Sequence, residues 1–338
     1  MTKKQVVIEA LRFRSPPYVP WSWGPTQDCG AALRACLGTD DLGGFLDGHL
    51  ASVGAKIGRA QYIDEHRWRD PYGVVWDRQI DKDIGTPCDW PIKKPQDLKA
   101  YRWPDAADDS HYSHIPGRVK ALGDRFVLFN IGFSLYERAW TMRGMENLLM
   151  DMVERPQFVE GLLDAIAEHN LQQIRRAVGL GVDGLMVGDD YGMQSGLIMG
   201  IEHWRHFIKP RLARMFEPFR EAGKFILIHS CGRVDSLFED LIEIGLNCFN
   251  PFQPEVMDVF ALMRRYHGKL AFHGGMSVQK VLPFGTADEV HEMTNRLIAA
   301  GSRGGYIFSP SHSVPRDVPP ENLIAMQALL TGQAGYRK

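Results

Sequence analysis

In the stretch FILIHSCGRVDSL (225–237) an imidazole and a thiol, His229 and Cys231, stand two residues apart where an apolar run gives out. Alternate residues of a strand share a side, so both groups can approach one point. Imidazole with thiolate is a soft donor pair that prefers zinc. A helix expected over Val234–Ile244, with Asp235 and Ser236 near its start, would turn its positive end toward Cys231 and favour the thiolate. Gly232 lets the backbone turn tightly between the two elements. A zinc site needs three or four ligands: His312 in SPSHSVP is the best third candidate and His273 in FHGGMS the second. One of Asp189 and Asp190, or a water, could take the position that catalytic zinc sites keep open. The same acids could supply a general base, or hold a ligating histidine by its second nitrogen. Consecutive strand residues face opposite ways, so only one of the two should enter the cavity while the other caps a turn. The plain alternative is a buried free cysteine among histidines bonded to loop backbone.

These residues have to be positioned by something, and the surrounding sequence has a rhythm. From about residue 125, short apolar runs alternate with amphipathic stretches. The runs are RFVLFNIG, DGLMVGDD, FILIHSCG, NCFNPFQ, KLAFHGG and GGYIFSPSH; helices are expected at 156–178, 201–223 and 287–301. Each run ends in groups capable of chemistry: Asn130, Asp189 with Asp190, His229 with Cys231, Asn250 with Gln253, His273, and His312. Alternating β and α units call for a parallel sheet covered by helices, and in a parallel barrel all those ends open on one face. The fold class expected is α/β, a (β/α)8 TIM barrel with an irregular N-terminal extension, with a doubly wound open sheet as the alternative. No G-x-G-x-x-G follows the first strand of the series, which weakens a dinucleotide-binding reading. One domain is expected over 1–338. Residues 1–110 would carry an N-terminal helix, an irregular Pro-, Gly- and Trp-rich segment (15–45) and a β-ribbon with a Pro-stopped turn and helix (70–105). Residues 111–338 would carry the main βα repeats.

Composition narrows the function classes. The 338 residues are 44% hydrophobic and 24% charged with a formal net charge of -2, and the basic residues are scattered, so a nucleic-acid partner is not expected. No run approaches ~18 apolar residues, and the N-terminus lacks an apolar signal core, so neither a membrane span nor export is expected. Five cysteines (29, 36, 88, 231 and 248), odd in number and irregularly spaced, suit a reducing cytoplasm rather than a disulfide scaffold.

Several segments together resemble the uroporphyrinogen decarboxylase superfamily: FREAGKFILIHSCG, LAFHGGMSVQKVLPFGTADEV, GGYIFSPSHSVPRDVPPENL, and AWTMRGMENLLMDMVERPQFVEGLLD in the middle. The resemblance implies a (β/α)8 barrel with its site at the strands' carboxyl ends, often in a homodimer. Two branches matter. True uroporphyrinogen decarboxylases need no metal and carry an arginine-bearing stretch like MRQAGRY that holds the tetrapyrrole's acidic groups. Here YVPWSWGPTQDCG stands in that place without an arginine, while His312 matches the histidine of the decarboxylase pattern NLGHG. The methylcobamide:coenzyme M methyltransferases bind zinc through an H-x-C motif and a later cysteine. His229-Ser230-Cys231 is similar to the first part, and His312 stands where the later cysteine would be.

The function expected is a zinc-dependent, methyltransferase-like enzyme working with a corrinoid (methylcobamide) protein or a small methyl donor. In it His229, Cys231 and His312 hold the metal, Asp189, Asp190 and His312 serve the chemistry, and Asn130, Asn250, Gln253 and His273 contact the small-molecule substrate. The alternative is a metal-free decarboxylase or lyase of a smaller acid, in which an Asp stabilises a cationic intermediate and His312 donates a proton. A third is a barrel that binds a ligand without turnover.

Overall fold

The computed structural model describes residues 1–337. All six apolar runs are strands of one parallel sheet, and Leu50–Val53 adds another at its start. In chain order they are β1 (Leu50–Val53), β2 (Phe126–Ile131), β3 (Gly184–Gly188), β4 (Phe225–His229), β5 (Cys248–Phe252), β6 (Ala271–Met276) and β7 (Tyr306–Pro310). Each pairs in parallel with the next. Long helices such as Pro156–Ala177, Lys209–Glu221 and Ala287–Gly301 pack outside. Cover on both faces explains why the strands read as unbroken apolar runs rather than alternating ones.

The sheet is curled and TIM-barrel-like, but it is not closed by an eighth regular strand, which corrects the eightfold expectation. Across the gap lies Pro20–Ser22. Phe308 of β7 donates its N–H to the Pro20 carbonyl and accepts from Ser22 N–H, while Trp21 accepts from His49 N–H just before β1. Proline has no N–H to give a ladder and restricts the residue before it. With Pro16, Pro17 and Pro20 crowded there, the segment makes a single bridge and no strand. Residues 15–45 are also less irregular than expected. Gln27–Leu37 is a helix capped by the Thr26 hydroxyl and stopped by Gly38 in the left-handed region, and Leu42–Leu46 is a short one.

Side-chain alternation divides the interior of the curl into two layers. Val7 and Leu11 of the N-terminal helix Lys3–Leu11 plug the lower end against Phe126, Leu128, Leu227, Cys248, Ala271 and Ile307. Two residues further along the same strands, on the same inward side, come Asn130, His229, Asn250, His273 and Ser309. The apolar layer is the floor on which the polar one stands. Between β1 and β2 an antiparallel four-stranded ribbon (Gln61–Tyr62, Arg67–Arg69, Val75–Asp77, Thr86–Asp89) is inserted, followed by the helix Asp97–Ala100. Among the described residues no helix is long and apolar enough to cross a membrane, and all five cysteines are free.

Candidate metal centre

His229 closes β4 and Cys231 follows it, their Nε2 and Sγ atoms 3.4 Å apart. His312, exposed in the loop after β7, sets its ring 5.8 Å from that of His229 at 69°. One donor atom from each of the three lies within 4.8 Å of the others. Donors at 2.0–2.3 Å from a tetrahedral zinc lie roughly 3.3–3.8 Å apart. The His229–Cys231 pair already has that spacing, and the exposed His312 ring has only to close in by about 1 Å. The donor set therefore fits a zinc ion.

The loop bearing Cys231 is held from two sides. Gly232 has φ +85°, and a Cβ there would sit 2.2 Å from the Gly192 carbonyl carbon, so no side chain can replace it without displacing the neighbouring loop. Its N–H donates to Gln253 Oε1 at 2.6 Å, and Gly192 N–H donates to the Cys231 carbonyl at 3.1 Å.

The imidazole of His229 is oriented by a chain of hydrogen bonds. His273 Nε2 is 3.0 Å from the Ser22 carbonyl, an acceptor, so that nitrogen carries the proton. His273 Nδ1 is then an acceptor, 3.3 Å from Asn250 Nδ2, which also donates to the His273 carbonyl at 3.0 Å. Asn250 thereby turns its Oδ1 toward His229 Nδ1 at 2.7 Å. That oxygen can only accept, so His229 carries its proton on Nδ1 and presents the lone pair of Nε2 to the metal position. Burial lowers the pKa of His229 and takes that of His273 down to about 4, so both rings are neutral.

The two adjacent acids diverge. Asp189 is fully buried and accepts from the N–H groups of Leu135, Tyr136 and Glu137, at 2.7–3.1 Å, and from the Tyr191 hydroxyl at 2.9 Å. It caps the helix Tyr136–Arg143, whose own N-cap Leu135 has no side-chain oxygen to offer. Burial lifts its pKa to about 6 against those donors. Asp190 faces the centre instead, accepting from Cys231 N–H at 2.8 Å with its Oδ1 3.9 Å from His229 Nε2. The sequence does not single out Glu137, on the same helix. Desolvation first, then the charges of Asp190 and Asp189, push its pKa up to about 9. An acid in the first turn of a helix that follows a strand end was the available signal.

Asn250 and His273, expected at the substrate, spend their side-chain polar atoms on the protein, and Gln253, also expected there, gives its Oε1 to Gly232 N–H: they hold the site. Asn130 is exposed on the inner mouth. His273 is committed to Ser22 and Asn250 and does not join the donor group. The expected thiolate also needs correcting. The helical stretch does begin at Asp235, as the short 3-10 segment Asp235–Leu237 running into the helix Phe238–Glu243, close to the expected bounds, but burial with the nearby Asp190 charge pushes the Cys231 thiol well above its ordinary range.

Set against known proteins, residues 79–331 match the family model for uroporphyrinogen decarboxylase (URO-D). The chain belongs to the uroporphyrinogen decarboxylase family. Among curated members it is 26% identical over 185 residues to a uroporphyrinogen decarboxylase of Geobacillus kaustophilus, a match covering 53% of this chain and 49% of that protein. With a uroporphyrinogen decarboxylase of Methylococcus capsulatus it shares 23% identity over 260 residues, 70% of this chain and 68% of the relative. The chain thus spans about half the length of the first relative and two thirds of the second. Among solved structures a methyltransferase from Methanosarcina mazei superposes with a TM-score of 0.72 at 14% identity, covering 98% of each chain. That likeness is one of fold.

Proposed function

We propose that the chain is a zinc-dependent, methyltransferase-like enzyme that passes a methyl group between a corrinoid on a partner protein and a small acceptor held at His229, Cys231 and His312. The observation that carries this reading is the convergence of those three donor atoms within 4.8 Å. Bound there, zinc would supply the Lewis acidity that lowers the pKa of a thiol, hydroxyl or water acceptor. The rest is work for the chain's own residues. Asn250 fixes the ring of His229 so that Nε2 faces inward. Asp190 holds the Cys231 backbone and stands ready to take a proton from an acceptor beside it. Glu137, kept protonated at neutral pH, is a proton donor on the same side. A cytoplasmic homodimer accompanies this reading; the free cysteines support the compartment.

The test is metal content: untagged protein analysed by elemental mass spectrometry should hold about one zinc per chain, lost in Cys231→Ser and in His312→Ala. Metal-free protein whose turnover survives Cys231→Ala would sink the proposal. The second reading, a metal-free decarboxylase of a small acid, is favoured by the relatives' names and by the acids Asp190 and Glu137 near His229 and Cys231. Chelator-insensitive release of CO2, lost in His312→Ala, would support it. Ligand binding with no turnover of any kind would leave a binding barrel.

A further inference from the structure

A cavity lies where the inserted ribbon meets the loop after β2. It has a volume of about 320 Å³, and its walls are Trp68, Tyr72, Trp76 and Phe133 with Arg78 and Arg138. Trp68 and Trp76 lie nearly parallel, at 19° and 6.2 Å, and the Phe133 ring meets Trp76 edge-on at 5.2 Å. Phe133 holds a positive φ of 51°, a region that bulky side chains avoid, so the backbone is strained to place this ring.

The charges say what kind of ligand fits. The cation-binding faces of three rings are already covered: Arg138 sits 3.8 Å above Tyr72 and 5.6 Å from the centre of Phe133, and Arg78 4.6 Å above Trp68. Arg138 is paired with Asp70 at 3.0 Å, and the rim carries one further charge of each sign, Arg78 and Asp83. A cation would find its places taken, and an anion would meet no uncompensated positive field. What remains are the partly exposed guanidinium of Arg78 and the open parts of the Trp68, Tyr72 and Phe133 rings, against which an uncharged ring packs well. A cavity of about 150 Å³ is enough to hold benzene, so the volume here admits one substituted ring.

The cleft shares its face with the metal centre. The Gly132–Phe133 backbone lies against Gly188 at the end of β3, since a Cβ on Gly188 would come within 3.5 Å of Gly132 Cα. Arg138 on the cleft side and Glu137 beside the acids are successive residues of one helix. We infer that this cleft seats an uncharged, single-ring aromatic compound, the organic substrate of the centre described above; the substrate role rests on the methyl-transfer reading, and the binding does not.

The test uses the full chain and three probes of similar size: benzyl alcohol, cyclohexylmethanol and benzylamine, titrated by saturation-transfer NMR. Benzyl alcohol should bind at least tenfold more tightly than the saturated alcohol or the cationic amine. Trp68→Leu and Phe133→Leu should each weaken it fivefold or more. The exposed rim residue Ile84 provides a variant that leaves the packed walls alone, and Ile84→Glu should also weaken binding with an unchanged unfolding midpoint. Equal affinity for the aromatic and saturated alcohols, or wild-type binding by Ile84→Glu together with either wall variant, overturns the inference. Cys231→Ser should bind benzyl alcohol normally. If no sample holds zinc but the aromatic preference persists, the metal reading fails and the cleft stands. Zinc without the preference sinks the cleft and leaves the metal centre intact.

Discussion

Two walls meet at Cys231, and they are built on different principles. The wall from the ends of β2 and β3 is acidic, and its buried charge is met by backbone: three N–H groups and a tyrosine hydroxyl converge on Asp189. The wall from β4, β5 and β6 carries no formal charge. Its neutral imidazoles are aimed through one side-chain amide, that of Asn250, and a backbone carbonyl. The first wall stabilises a charge, which tolerates small rotations as long as the donors stay near. The second fixes the direction of a lone pair, which a single wrong rotamer or tautomer destroys. One wall should therefore fail in stability and the other in metal affinity.

Removing the carboxylate of Asp189 should have the largest effect. Asp189→Ala strands four donors in a buried place, each costing about 1–3 kcal/mol in isolation and less where water enters. A loss of about 4 kcal/mol is expected in urea unfolding, with any zinc that remains bound held as tightly as before. Asn250→Leu should do the reverse. Loss of such an orienting partner typically costs 10–100-fold in metal affinity, about 1.4–2.7 kcal/mol, and competition with a chromophoric chelator would read it. A stable Asp189→Ala, or an Asn250→Leu that binds zinc like the wild type, would break the contrast.

The walls should also part company with pH in metal-free protein. His273 has a folded pKa of about 4, below its unfolded value, so its contribution is complete above about 6.5 and is lost as pH falls from there toward 4. Glu137 has a folded pKa of about 9, above its unfolded value, so its contribution is complete below about 4.3 and is lost as pH rises toward 9. Glu137→Gln should flatten the alkaline limb of stability against pH and leave the acid limb alone, as urea midpoints at pH 5, 7 and 9 would show. The smallest effect belongs to Asp190→Asn. The amide oxygen still accepts from Cys231 N–H, so stability should stay within about 1 kcal/mol of wild type.

How much of this could be read from the sequence follows from the range of the interactions. Six strands show as short unbroken apolar runs, and the pair His229–Cys231 follows from the shared side of strand residues i and i+2; both features are local, and FILIHSCG displays them plainly. Leu50–Val53 is too short to announce itself. The helix Gln27–Leu37 has a Thr26 cap and a Gly38 stop, but it hides among prolines and tryptophans. The division of labour between Asp189 and Asp190 could be anticipated as a difference in facing, but not which acid did which. That was settled by a helix cap reaching from Asp189 back to Tyr136, 53 residues away in sequence. The link from Asn250 to His273 depends on the stagger of β5 against β6, where the register shifts between Phe249 and Phe252.

The bridge between Trp21 and Phe308 has a consequence for assembly. Ser22, whose carbonyl sets the proton on His273, is docked by a strand made some 285 residues later, so this loop must be closed against a large entropy cost. A ribosome-bound chain that has emerged through residue 300 already contains His229, Cys231, Asn250 and His273, yet lacks the strand that brings Ser22 to them. The H-x-C motif is complete before the last strand is made, and its orientation is one of the last things the folding chain acquires.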